Sequence, residues 1–310
     1  MRYRQLAVLV AITAVCGASA CGSDDDPGGD GGGGSGGGPT ALVVETTDPN
    51  AKKVAMQAPA SIEPGPVRMT LVNRGDTLHD AQLFKVDGGH DGADIVNEVL
   101  EAVDGSPKPR WMHPAGGVAP VPPGQSATTS QALEPGTYYI ADTQERPDGG
   151  RQTNGARGGI AKLEVSGEPT GGKLPKAQGI VTATEGKGFI TRNLEVGRNR
   201  VLFRNGGREL HQAVALPIDP GAKSLVAGAR AAIGRRSDTA WVPVDVEGSR
   251  ATVALESGRE QVTELTLERR PYVLVCFLSD RKGGIPHAFE GMASLLDLSS
   301  GRERPGAGAR

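Results

Sequence analysis

Cysteine is scarce. The 310 residues include 3 Cys, alongside 5 His and 5 Met, which excludes a scaffold stapled by several disulfides and any site needing many soft ligands. Charge of one sign is also lacking: 34 Lys+Arg against 36 Asp+Glu leave a net charge of -2. A nucleic-acid binder needs a clustered basic face to displace counterions, so nucleic acid is not an expected partner. Aromatics are limited to 2 Trp, 4 Tyr and 5 Phe, and hydrophobic residues make up 37% of the chain. That supports a modest core but not a polytopic membrane protein. Glycine (46) and proline (22) are plentiful, so turns are frequent, and the length leaves room for two domains.

The N-terminus reads as an address followed by a tether. Arg2 and Arg4 precede an apolar run, Leu6 to Val15, that gives way to Gly17-Ala18-Ser19-Ala20-Cys21. A short basic region, an apolar stretch too short for a permanent span and a small-residue cleavage site make a secretory signal over residues 1–20. The ending Ala18-Ser19-Ala20-Cys21 resembles the lipobox of bacterial lipoproteins, which implies lipidation at Cys21; plain cleavage after Ala20 is the alternative. Residues 22–39 hold ten Gly among Ser and Asp, a flexible spacer suited to holding a folded body off a membrane. The expected location is the outer face of the bacterial cytoplasmic membrane. Cys16 leaves with the signal and Cys21 carries lipid, so the body keeps one thiol, Cys276. It is then an intermolecular linker, a buried inert thiol or a metal ligand.

The body is written twice. Met69–Ala81 matches Val201–Ala213 at an offset of 132, with Asn, Gly, Leu, His and Ala coinciding. Gly124–Asp142 matches Gly258–Cys276 at 134, and Gly159–Val165 matches Met292–Leu298 at 133. Two copies of one domain are expected over 41–167 and 177–299, joined by a linker at 168–176 and followed by a tail at 300–310. Lys53–Ala58, Gln261–Leu267 and Leu295–Leu298 alternate apolar and polar residues as strands do, and Tyr138–Ala141 and Tyr272–Leu278 are β-prone runs. The last is apolar throughout, which predicts a central strand. Ala93–Val103 and Ala222–Ile233 have helical composition. The expected fold is all-β: two tandem Greek-key β-sandwich domains, each with a short helical insertion.

These blocks resemble the cupredoxin family. Pro135-Gly136-Thr137-Tyr138-Tyr139 matches the family's turn into a strand, and in the second copy Asn205, His211, Cys276, His287 and Gly291-Met292 fall in family order. The resemblance spans roughly residues 41–299. It implies one type 1-like copper ion held by His211, Cys276, His287 and Met292. Two imidazoles and a thiolate in a plane with a distant thioether suit both copper oxidation states. Ten residues separate Cys276 from His287, more than is usual in the family, and Phe277–Pro286 is expected to protrude as a flap. In the first copy His79 matches His211, but Asp142, Asn154 and Gly159 stand where Cys276, His287 and Met292 do, so that copy lacks the thiolate chemistry.

Weaker candidates remain. His79, Met112 and His113 could contribute imidazole or sulfur, and Trp111-Met112-His113 is expected in a Pro/Gly-rich loop, where Cu(I) binding competes with simple packing of the Trp. His90 reads as a solvated turn residue. Cys276 and Met292 could each be ordinary core. A multicopper enzyme is not expected, because Val275, and not His, precedes Cys276 and five His cannot fill further copper centres. No His-Glu-x-x-His helix occurs, and the glycine-rich residues 28–38 follow a signal peptide and not a strand, so they form no catalytic elbow or phosphate cradle. The reading is a non-enzymatic, membrane-tethered electron carrier with a redox or surface protein partner. The alternatives are a metal-free binding module or a copper delivery or storage protein.

Overall fold

The computed structural model describes residues 38–100, 105–145, 152–185, 188–219, 221–233, 235–236, 241–242 and 248–300. The signal peptide, Cys21 and the tail beyond residue 300 lie outside them. Among the described residues no helix is long and apolar enough to cross a membrane.

The first half contributes β1 (Thr40–Asn50), β2 (Lys53–Gln57), β3 (Ser61–Ile62), β4 (Gly65–Asn73), β5 (His79–Val86), α1 (Gly92–Ile95), β6 (Met112–Val121), β7 (Ser126–Leu133), β8 (Gly136–Ala141) and β9 (Ile160–Val165). The second contributes β10 (Gly179–Thr184), β11 (Gly188–Arg192), β12 (Gly197–Asn205), β13 (Val214–Pro217), α2 (Leu225–Ile233), β14 (Arg235–Arg236), β15 (Trp241–Val242), β16 (Arg250–Ala251), β17 (Glu260–Leu267), β18 (Pro271–Val275) and β19 (Ala293–Asp297). In the first half, β1, β2, β4 and β7 face the sheet β3-β9-β8-β5-β6. In the second, β10, β11, β12 and β17 face β16-β13-β18-β19. The protein is an all-β sandwich fold with short helical insertions.

Alternation explains the cores. Every second residue of β4 is buried, and Val67, Met69 and Leu71 meet Leu83, Tyr138, Ile140 and Leu163 from the opposing sheet. Val201, Phe203, Leu265 and Leu274 do the same in the second half, where the inner face also takes in Cys276 and Met292. Each of these clusters draws on one half alone. β18 is buried on both faces because α2 covers its outer side through Ala229, packed with Leu216, Ile218 and Val273. It lies between β13 and β19, the central place its apolar run predicts. In the first half α1 and a wider helical turn over Val96–Leu100 cover Phe84, Val86 and Tyr139 in the same way.

Two findings depart from expectation. First, the halves share one sheet: β17 pairs with β7 through Gln261 opposite Gln131 and Val262 opposite Ser130, giving the continuous order β11-β10-β12-β17-β7-β4-β1-β2. Second, Met112 and His113 open the strand β6, and not a loop. An edge strand tolerates Pro114 and Pro120 because it owes hydrogen bonds on one side only. Gly116 and Gly117, with φ of 97° and 137°, absorb the irregular register with β5.

Candidate metal centre

A buried asparagine delivers the first candidate ligand. Asn205 closes β12, its Oδ1 accepting from Gly207 N at 2.9 Å while its Nδ2 donates to Glu209 O at 2.8 Å and Leu255 O at 2.9 Å. The clamped turn hands the chain to His211, whose backbone pairs with Leu255 in both directions, at 2.9 and 3.2 Å. Asn73 makes the same three bonds in the first half, to Gly75, Thr77 and Val121, and there delivers His79.

Cys276 follows β18 directly. The chain then loops out and returns: His287 N donates to Leu278 O (2.9 Å), Ala288 N to Cys276 O (2.8 Å) and Met292 N to His287 O (2.8 Å). Gly291 makes the final turn at φ 102°, a left-handed conformation that favours glycine. This folds His287 back over Cys276 and points Met292 into the core beside it.

His211, Cys276 and His287 are all buried, and one ligand atom from each lies within 4.8 Å of the others. The two imidazoles meet edge-on with centroids 4.9 Å apart at 60°. Among the described residues, both ring nitrogens of His211 and Nδ1 of His287 are buried without a hydrogen-bond partner. Buried polar atoms are nearly always satisfied, so three such nitrogens beside a thiol mark a place that awaits a ligand. His287 Nε2 faces Asp280 Oδ1 at 3.1 Å. That carboxylate calls for the proton on Nε2 and leaves the Nδ1 lone pair bare, the orienting arrangement common behind metal-bound histidines. Burial first, then the neighbouring His287, lowers His211 to about 4, so it is neutral near pH 7. Burial pushes the Cys276 thiol up to about 11. It holds its proton in the metal-free protein, and a metal ion must displace it. His211, Cys276 and His287 can thus hold a metal ion.

The first half keeps the frame and changes its contents. Asn154 N donates to Gln144 O (2.7 Å), Gly155 N to Asp142 O (2.7 Å) and Gly159 N to Asn154 O (2.9 Å), bond for bond the loop of the second half. Gly158 turns at φ 106° as Gly291 does. Inside this frame His79 is held between carboxylates, Nδ1 at 2.5 Å from Asp142 and Nε2 at 3.1 Å from Asp48, and Asn154 Nδ2 donates to Asp142 at 3.1 Å. Burial draws the imidazolium down, but the two carboxylates outweigh it and the net direction is up. Asp48, held by Asp76 and His79 against the effect of burial, falls to about 2.

The other singled-out residues lie apart. Met112 is buried among Phe84, Val86 and Ile95. His113, its neighbour on the opposite face of β6, sits 3.3 Å from Asp87 and 3.4 Å from Glu256. Trp111 stacks on His90 with centroids 4.1 Å apart, and His90 Nδ1 faces Asp94 at 3.2 Å, so His90 follows a turn, half-buried and partnered on both counts. The expected flap is also corrected. Residues 277–286 lie against the first half, because Arg281 O accepts from Lys108 N (2.6 Å) and Gly284 N donates to Gly105 O (3.0 Å). Sequence reasoning missed Asp280, Arg281 and Asp48, since a lone charged residue in an irregular segment carries no periodic or motif signal.

No family model and no curated protein matches the chain. Solved structures that resemble it include auracyanin from Roseiflexus castenholzii, at 22% identity over 42% of this chain and 100% of that one with a TM-score of 0.28. Rusticyanin from Thiobacillus ferrooxidans matches at 14% identity over 41% of this chain and 76% of its own, TM-score 0.27. A multicopper oxidase matches at 13% identity over 83% of this chain and 88% of its own, TM-score 0.23.

Proposed function

We propose that the chain is an exported, membrane-tethered electron carrier that holds one copper ion in its second half through His211, Cys276 and His287, with Met292 as a distant fourth donor. The observation that carries this is the buried group of His211, Cys276 and His287, one ligand atom of each within 4.8 Å of the others, with imidazole nitrogens left without hydrogen-bond partners. A set of two imidazoles, a thiolate and a thioether is suited to copper in both oxidation states, and bound copper would supply a one-electron couple. The protein's part is to hold the donors still. Asn205 fixes His211, Asp280 orients His287, the 287–292 turn returns Met292 to the buried cluster that holds Cys276, and the surrounding apolar core excludes water.

A carrier is favoured over an oxidase because the other three histidines are each occupied with carboxylates: His79 with Asp48 and Asp142, His90 with Asp94, and His113 with Asp87 and Glu256. The signal sequence, Cys21 and the glycine-rich spacer support the tether, and a redox or surface protein is the partner it implies.

The test uses the mature chain from residue 21 with Cys21→Ser, leaving Cys276 as its only thiol. Added Cu(II) is expected to give an intense band near ~600 nm, in the range of thiolate-to-copper charge transfer, that is lost in Cys276→Ser. A chain that retains no copper is a binding module instead. Tight Cu(I) binding without a reversible couple indicates delivery or storage.

A further inference from the structure

The loop between Cys276 and His287 is held from both halves of the chain. Its backbone and side-chain anchors come largely from the first half. Arg281 is the principal one. Its Nη1 donates to Pro109 O at 2.8 Å, its Nη2 donates to Met112 O at 3.0 Å, and the same Nη2 pairs closely with Glu256. Its backbone N–H donates to Glu209 Oε2 at 2.7 Å, and its carbonyl accepts from Lys108. One residue thereby ties the ligand loop to β6, to the turn before His211 and to the segment that pairs with His211. Arg281 is half-buried, where a planar fork satisfying two carbonyls and a carboxylate has no lysine equivalent.

Two further contacts point the same way. Gly283 has φ 86°, and a Cβ there would stand 2.5 Å from Gly105 O, so the two backbones touch as only glycine allows. On the far side of the centre, Ala115 of β6 bridges Leu255, the residue that pairs with His211, and Glu256 N donates to Pro114 O at 2.8 Å. Gln82 of β5 exchanges bonds with Ala254, accepting at 2.8 Å and donating at 3.1 Å. The loop that leads to His287 and the segment that pairs with His211 are therefore both braced by the first half.

We propose that the first half is a splint for the metal centre and that Arg281 is its positioning residue, setting where His287 stands relative to Cys276. This rests on the copper reading above. The half that lacks a thiolate serves the centre of the other by denying its longest ligand loop the freedom to open.

The experiment compares the full mature chain with Arg281→Ala, Arg281→Lys, Gly283→Ala and Arg259→Ala. The last breaks an exposed contact between the halves, Arg259 Nη2 to Glu134 at 3.1 Å, in which no residue of the loop takes part. Each protein is loaded with Cu(II) and read by visible and electron-paramagnetic spectra and by the rate of copper transfer to a chelator. Wild type and Arg259→Ala are expected to agree. The two Arg281 variants and Gly283→Ala are expected to shift the charge-transfer band or the copper hyperfine splitting and to release copper about 10-fold or more faster, the scale of effect seen when outer-shell partners are lost. Metal-free wild type should also protect the Lys108 and Gly284 amides from hydrogen exchange.

If wild type shows no charge-transfer band, the copper reading fails and the splint with it. If wild type shows the band while folded Arg281→Ala keeps its spectra and a release rate within two-fold, the splint fails and the copper reading stands. Should Arg281→Ala not fold, Arg281→Lys and the exchange of Lys108 and Gly284 decide. Wild-type spectra in the lysine variant, or unprotected amides in wild type, overturn the proposal.

Discussion

Asn205 and Asn73 show how much one side chain can organise. Each closes a strand, satisfies an N–H and two carbonyls, and sets the exit toward a histidine. Leaving buried backbone groups without partners is costly, so Asn205→Ala and Asn73→Ala are each expected to lose about 2–4 kcal/mol in urea unfolding. Asn205→Ala should weaken metal retention as well, whereas Asn73→Ala should not. A loss below about 0.5 kcal/mol in both would show that water replaces the amide at no cost.

Asp80 supplies a pH-dependent counterpart. It accepts from Thr143 N at 2.6 Å, Thr143 Oγ1 at 2.5 Å and Gln144 Nε2 at 2.7 Å. Burial, then the charge of Asp142, nevertheless pushes its carboxyl up to about 7. A carboxyl whose folded pKa lies above its unfolded one binds its proton more tightly when folded. Its contribution to stability is complete below about pH 4 and declines as pH rises toward 7 and beyond. His79, also raised, acts in the same sense: its contribution is present below its ordinary pKa of 6.5 and lost as pH climbs through the folded value. Asp48, lowered to about 2, loses its contribution only below pH 4. The first half should therefore weaken between pH 5 and 8. Asp80→Asn, which keeps an oxygen for Thr143 N, should flatten that slope by up to about 3 kcal/mol, the two units from pH 5 to 7 at roughly 1.4 kcal/mol each, read from urea midpoints at both pH values.

At the scale of elements, α2 illustrates packing overruling propensity. Gly228 sits mid-helix, where alanine would ordinarily gain about 1 kcal/mol. Here a Cβ would overlap Ile218 Cγ2 and stand 3.0 Å from Ala222 Cβ, because the helix lies close on β18 and β13. Gly228→Ala is expected to destabilise by about 1–3 kcal/mol, seen as a lower melting temperature; an increase would mean that α2 is free to lift off. The strands themselves were legible in the sequence. Alternation marked β2, β17 and β19, and the unbroken apolar run of β18 marked a strand covered on both faces. Three of the candidate ligands were legible too: His211, Cys276 and His287, which follow the order of the resemblance and lie close enough together to hold a metal ion. Two things were not. The Pro- and Gly-rich stretch at β6 mimics a loop until its partner strand is known. Contacts such as Arg281 with Pro109, across 172 residues of chain, leave no trace in local spacing.

For the molecule as a whole, the shared sheet and the Gln82–Ala254 exchange imply that the halves unfold together. Each half has one tryptophan, Trp111 and Trp241, so Trp111→Phe and Trp241→Phe give two reporters. Their denaturation curves should coincide in the otherwise native chain. They should separate when Gln82→Leu strips Ala254 of both its partners, since buried polar groups left unpaired at a junction weaken it most. Coincident curves in the Gln82→Leu background would place the coupling in β7 and β17 alone.

The duplicated loop has a last consequence. In the first half the ends of β5 and β8 are cross-linked by the His79–Asp142 pair, so that copy is complete as synthesised. In the second half the same place holds a protonated thiol and three nitrogens with nothing to bind, and the cross-link must come from outside. A metal-free chain is thus finished at one end and open at the other. Any ligand bound only by the folded form raises its stability, so loading doubles as a maturation step. The melting temperature should therefore rise when a metal ion is added to wild type, and stay unchanged when it is added to Cys276→Ser.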